Sequence, residues 1–245
     1  VKHRIKFAAL CTALAIAAGL AVFFVVRTNS GAGDGIIIAS GKDAYPNSSA
    51  SDWVTYADHV VVATPAEEKD QDIRAEDRQR GEGIVLRDLK LRVDKILWSN
   101  PNASIPDPRT IDLAAWGWSF KDGDTGKRTK MASEGSPRLE MGHSYILAII
   151  WEEERCTEGD PRVPAKWNVL GGGAVIPFDS EIFGQGESEG SVLTVEQARE
   201  KSDNHASATA LEKKLIGKGA SDLLAELKSA TPKEKMRLLP VAPCK

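Results

Sequence analysis

The chain has 245 residues, 42% hydrophobic and 27% charged, long enough to bury a sizeable core in one domain of ordinary size. Four of its 32 basic residues and none of its 35 acidic ones fall within the first 27, so the remainder carries about −7. A surface of that sign selects against nucleic acid and anionic lipid as partners, because both are recognised by clustered Lys and Arg.

Residues 1–6 carry Lys2, Arg4 and Lys6, and the 20 residues that follow, Phe7 to Val26, are uncharged. At 1.5 Å per residue that stretch makes a helix about 30 Å long, the thickness of a bilayer's hydrocarbon. The basic flank predicts a transmembrane signal anchor at 7–26, with residues 1–6 in the cytoplasm and the C-terminal domain extracytoplasmic. Cleavage and secretion is the alternative. Length favours the anchor, since the apolar core of a cleaved signal is usually about 7–15 residues. Cys11 lies inside this stretch without the small preceding residue that lipidation requires, and reads as an apolar filler.

Residues 27–50, rich in Gly and Ser, read as a flexible linker, within which Gly35-Ile36-Ile37-Ile38 has the makings of a short edge strand. Ser51 is placed to cap a short helix over 52–57 that delivers Trp53 and Tyr56 to the domain. A mainly β domain is expected over 51–190. Its strands are predicted at 59–64, 83–98, 109–118, 144–151 and 166–178. In the second of these Leu89, Leu91, Val93 and Leu97 alternate with charged residues. The charge-dense stretch 67–81 reads as a solvated loop or exposed helix. The glycines at 171–173 mark a bulge or bend. A helical segment closes the chain over 191–245. One capping box is predicted at Thr194–Gln197, with a helix running toward Gly217 that breaks near 202–207. A second helix begins at Ser221, and another capping box at Thr231–Glu234 carries Pro232 at the first helical position.

Cys156 and Cys244 are the two cysteines of the exported part, and an oxidising compartment favours a disulfide between them. It would close a loop of about 88 residues and contribute on the order of 4 kcal/mol by restricting the unfolded chain.

Tests for chemistry find little. The histidines (His3, His59, His143, His205) have no metal-ligand spacing, and no Cys-x-x-Cys or His-Glu-x-x-His occurs. Asp122-Gly123-Asp124 begins like a calcium loop but lacks the later ligands, and reads as a hairpin turn between Trp118 and Met131. Ser202-Asp203-Asn204 stands without the Ser-x-x-Lys and Lys-Thr-Gly that accompany it in penicillin-recognising enzymes. Glu152, Glu153 and Glu154 are consecutive, alternate faces on a strand, and so cannot converge on one bond. No catalytic, cofactor or metal residues are assigned and no cofactor is expected. The surface feature that stands out is Trp116-Gly117-Trp118, whose i, i+2 spacing puts both indoles on one strand face, where they suit a sugar or a protein partner.

The AWGW segment (Ala115 to Trp118), the run from Glu134 to Tyr145 (EGSPRLEMGHSY), and the strands Tyr56 to Val62 and Leu91 to Trp98 resemble uncharacterised exported, membrane-anchored actinobacterial proteins over roughly residues 50–190. The strand order also resembles the OB-like barrels of the tissue-inhibitor-of-metalloproteinase and netrin type, whose cysteine framework this chain lacks. These resemblances imply an OB-like, five-stranded, Greek-key, partly open barrel and bring no activity with them. The expected function is a non-catalytic, membrane-anchored extracytoplasmic module that binds an envelope protein or a cell-wall glycan. The rivals are an envelope hydrolase with a scattered site (His143, Asp112 and Ser136) and an envelope assembly factor.

Overall fold

The computed structural model describes residues 35–103, 105–156, 162–204 and 208–236, together with the backbone of 25–29. The expected membrane anchor lies outside the described residues except for Val25 and Val26, which begin a strand, β1 (Val25–Asn29). Among the described residues no helix is long and apolar enough to cross a membrane.

The molecule is mainly β, with an open sheet and C-terminal helices. After β1 come β2 (Ile36–Ser40), α1 (Ala50–Tyr56), β3 (His59–Asp70), α2 (Ala75–Arg80), β4 (Gly83–Ser99), β5 (Thr110–Lys121) and β6 (Asp124–Ser133). Then follow β7 (Tyr145–Glu152), β8 (Lys166–Val169), β9 (Val175–Pro177), β10 (Gly186–Ser188), β11 (Ser191–Leu193), α3 (Val195–Asn204), α4 (Ala210–Leu215) and α5 (Ala220–Ser229). The main sheet runs β1-β2-β6-β5-β4-β3-β7-β8, with β9 also on β7, and its one parallel pairing is β2 with β6. β10 and β11 form a separate ribbon.

The predicted strands are present, with four corrections. The segment at 166–178 is two strands, β8 and β9, separated by a bend that contains Gly171–Gly173. β6 is a strand in its own right, joined to β5 by a two-residue turn, Asp122 and Gly123, both at positive φ (59° and 70°) as a hairpin of this twist requires. β3 runs on through the charge-dense stretch to Asp70, with α2 behind it. Leu97 leaves the face of Leu89: slips in the β3–β4 register, one between Val62 and Ala63, reverse the phase, so Leu97 and Leu89 lie in different cores.

Those two cores occupy opposite faces. Val61, Leu89, Leu91, Ile111, Leu113, Leu147, Ile149 and Trp167 bring β3, β4, β5, β7 and β8 into one apolar interior. For β5 and β8 to share it the sheet must curl, and these two strands do approach each other. On the other face Val60, Leu97, Ile146 and Ile176 pack against Trp53 and Tyr56 of α1, Leu211 and Leu215 of α4, and Leu223 and Leu227 of α5. The C-terminal helices therefore belong to the core and do not stand apart as an appendage.

The stretch expected to be a flexible linker is in large part built in. β2 is paired in the sheet between β1 and β6, the Asp43 carboxylate accepts from Gly172 N at 3.1 Å, and Asn47 O accepts from the Trp53 indole at 2.9 Å. A Cβ on Gly171 would stand 2.1 Å from the Asn47 amide, so the glycine run is what admits this segment. α1 starts two residues earlier than predicted because Ser49, not Ser51, caps it: Ser49 Oγ accepts from Asp52 N at 3.1 Å while the Asp52 carboxylate accepts from Ser49 Oγ at 2.7 Å.

At the C-terminal end the Thr194–Gln197 capping box forms, with reciprocal bonds of 2.9 and 3.3 Å, and the helical stretch divides into α3 and α4 as expected. α5 begins at Ala220 after Gly219, one residue before the predicted Ser221 start. The Thr231–Glu234 box forms no helix. Lys233 N and Met236 N donate instead to Thr55 Oγ1 and to the Tyr56 hydroxyl, at 2.7 and 2.9 Å, so backbone groups that a helix would use are spent on α1.

Candidate functional site

The two motifs singled out in the sequence meet in space. Arg87 on β4 keeps the parity of Leu89 and Leu91, so its side chain enters the protein and is fully buried. Its Nε donates to Trp116 O at 2.7 Å and its Nη atoms to Arg138 O at 2.5 Å and Leu139 O at 3.4 Å, while the Glu68 and Glu140 carboxylates lie 3.1 and 3.8 Å away. Arg138, also buried, sends Nε to Met131 O at 2.9 Å and Nη2 to Gly117 O at 2.8 Å, and pairs with Glu140. Two guanidinium groups thus staple the loop between β6 and β7 onto the bulged part of β5. The register slips where Val85 faces Trp118 and Arg87 faces Ala115. Gly117 is required there, since a Cβ would stand 2.3 Å from Val85 O.

Glu187, on β10 and buried, closes the cluster from the other side. Its carboxylate accepts from Arg138 N at 3.0 Å, Leu139 N at 3.1 Å, Gly190 N at 2.7 Å and the Tyr145 hydroxyl at 2.9 Å. Leu139 sits at φ 63°, a left-handed geometry that the converging donors impose. Burial, and then the neighbouring Glu187 charge, push the Tyr145 phenol well above its usual range, so it stays protonated and donates. Burial pushes the Glu140 carboxyl up, but Arg138 and Arg87 more than reverse this and hold it below the ordinary range. Both groups are fixed in the protonation states that bind the loop.

Both indoles are half-buried, Trp118 at the edge of this cluster; the β5 register slips between Ala115 and Trp118, so the i, i+2 spacing no longer puts the two on one face. Trp118 Nε1 donates to Asp70 Oδ1 at 3.1 Å, and the Arg138 guanidinium lies over its ring, 4.7 Å from the centroid. Trp116 is engaged as well. One face of Trp118 is therefore covered by the chain's own arginine.

The residues of the scattered hydrolase site are not brought together by hydrogen bonds. His143 Nδ1 pairs with Asp179 Oδ2 at 2.5 Å, and Asp179 Oδ1 accepts from Ser144 N at 2.8 Å. Asp112 is exposed on β5 and Ser136 is buried near Gly172. Glu152 binds Arg155 and Asn168 and Glu154 binds Arg162, as charged strand ends do. Among the described residues no group of three or more His, Cys, Asp or Glu is arranged to hold a metal ion. Cys156 is not a free thiol, and its expected partner Cys244 lies outside the described residues.

Comparison of the chain with protein-family models, with curated proteins and with solved structures finds no match. The functional reading therefore rests on this chain's own geometry.

Sequence reasoning found Trp116, Trp118 and the loop that packs beside them. It did not find Arg87, Arg138 and Glu187. The signal available for Arg87 was its phase: at position 87 it falls in step with Val85, Leu89 and Leu91, the interior side of β4.

Proposed function

We propose that the protein is a non-catalytic, membrane-anchored extracytoplasmic module that binds an envelope protein or a cell-wall glycan. The observation that carries this reading is the use made of the buried charges. Arg87, Arg138 and Glu187 spend their hydrogen bonds and ion pairs on backbone groups, carboxylates and a tyrosine of the same chain, and so hold the half-exposed Trp118 at a fixed place on the sheet. Rigid aromatic side chains presented by a scaffold suit recognition, because little side-chain entropy is lost on binding.

The β5-β4-β3-β7-β8 run, with β5 approaching β8 over a shared interior, supports an OB-like, partly open barrel as the scaffold. The uncharged stretch 7–26 supports membrane attachment with the domain outside the cytoplasm, and β1 begins at Val25, so such an anchor would hold the domain close to the bilayer. A Cys156–Cys244 disulfide fits this compartment.

The test is quenching of tryptophan fluorescence in the full chain, purified in detergent, on titration with cell-wall glycan fragments, and chemical cross-linking of the chain in intact envelopes. The reading predicts that Trp118→Phe, its fold checked by circular dichroism, weakens whichever ligand is found, while Ser229→Ala on α5 does not. Catalytic turnover that is abolished by His143→Ala with the fold intact would overturn it in favour of the envelope hydrolase.

A further inference from the structure

After α5 the chain leaves the helix at Ala230 and lies as an extended strap, 231–236, across α1. Every residue of the strap is exposed, and it buries no apolar anchor. It is held by the Lys233 ammonium on Asp52 Oδ1 at 2.7 Å, by Lys233 N on Thr55 Oγ1 at 2.7 Å, and by Met236 N on the Tyr56 hydroxyl at 2.9 Å. Beneath it Asp52 and Thr55 are each only 3% exposed. The carboxylate, hydroxyl and phenol thus form a receptor of defined polarity: one anionic socket for an ammonium, and two oxygens spaced to take backbone N–H groups of an extended chain. Contacts of this kind read a backbone and one lysine, and are open to replacement by another segment that supplies the same groups.

We propose that the α1 face of Asp52, Thr55 and Tyr56 is a docking site for an extended, lysine-bearing segment of a partner protein, and that residues 231–236 occupy it in cis. This rests on the reading of the molecule as a binding module and names the chemistry of its partner. The strap masks the site, and a partner segment gains access by displacing it. A partner lacking a cation at the Lys233 position would leave the buried Asp52 carboxylate without a countercharge, which sets the specificity.

The experiment uses the full chain in detergent under reducing conditions, so that no cross-link at Cys156 restrains the C-terminal end. The probe is a fluorescein-labelled peptide with the sequence of residues 230–236, ATPKEKM, followed by anisotropy. Lys233→Glu in the protein opposes Asp52 and opens the strap. The peptide is expected to bind this variant about tenfold or more tighter than the wild-type chain, whose own strap competes. Replacing the peptide's lysine by glutamine should abolish binding, and so should Thr55→Ala added to Lys233→Glu, a pair that leaves the Ser49 cap of α1 in place and whose fold is checked by circular dichroism. Equal affinity for wild type and Lys233→Glu, indifference to the lysine, or no binding to either chain would each overturn the proposal. A chain that fails these tests yet still binds an envelope ligand through the indole surface would leave the module reading standing.

Discussion

Two of the places where this molecule pairs buried charges do so in opposite ways. Around Arg87 and Arg138 the partners come from β3, β5, β6 and the β6–β7 loop, and carbonyls and carboxylates meet the guanidinium N–H groups deep inside the protein. At Asp52 the carboxylate is just as buried, but its cation arrives on an exposed strap whose lysine side chain is 56% accessible. Removing two charges from water is costly in either place. The first site recovers the cost with many fixed bonds and is suited to holding a shape. The second has fixed hydroxyls from Ser48 and Ser49 but draws its one countercharge from an exposed strap, and is suited to exchange.

Breaking the fixed site should produce the largest effect. Glu187→Ala leaves Arg138 N, Leu139 N, Gly190 N and the Tyr145 hydroxyl without their acceptor in a buried place. A loss of about 3–5 kcal/mol is expected from denaturant unfolding. Gly117→Ala should follow, at about 1–3 kcal/mol, because its Cβ would press on Val85 O and force the β5 bulge outward. The near-ultraviolet circular dichroism of the tryptophans should change with it, since Trp116 and Trp118 flank the glycine. If either variant unfolds like the wild type, the cluster does not hold the loop.

The same contrast explains what was legible in the sequence. Alternation in β4, the Asp122-Gly123 turn and the Thr194–Gln197 capping box are local patterns, and each forms where it was read. Leu97 was misplaced because bulges reverse a strand's phase, and nothing within β4 announces them. Arg87 shares the interior phase of Leu89 and Leu91 but was assigned no role. Its burial is compensated by carbonyls 29 and 51 positions away in the chain, a fact of tertiary structure alone. The capping box at Thr231 failed for a related reason: its local signal was sound, and α1 outcompeted it for the backbone donors. Of the candidate surface, the indoles were visible as a spacing, while the arginine that covers one of them was not.

At the exchangeable site a smaller effect is expected. Lys233→Ala should cost about 1 kcal/mol, the low end for a charge-assisted bond, because the lysine is half in solvent. Its signature is the pH dependence. Burial pushes the Asp52 carboxyl up, but the bond to Lys233 and the Ser49 and Ser48 hydroxyls outweigh it, and the folded-state value lies below the ordinary carboxylate range. A depressed value stabilises the fold above the unfolded carboxylate's pKa, and that stability is lost as pH falls through the folded one. Without Lys233 the folded value rises toward the unfolded one, so the variant loses less stability than wild type as pH falls, and the gap between them should close once Asp52 is protonated in both. A gap that stays constant through the acid range would show that Lys233 does not act through Asp52.

The smallest effect tests the other side of the rule. Ser202 Oγ on α3 is buried and meets no hydrogen-bond partner among the described residues. It lines a cavity of about 20 Å³ together with Lys201, Glu212 and Gly184. Where Arg87 and Asp52 are matched, this hydroxyl is not, and an unmatched buried hydroxyl lowers stability, whereas an apolar group of the same shape does not. Ser202→Ala is therefore expected to raise stability by up to about 1 kcal/mol in thermal or denaturant unfolding. A loss of similar size would carry the opposite lesson. The cavity is large enough for one water molecule, and destabilisation on removing the hydroxyl would show that a bound water completes its bonding there, making even this site one in which buried polarity is matched.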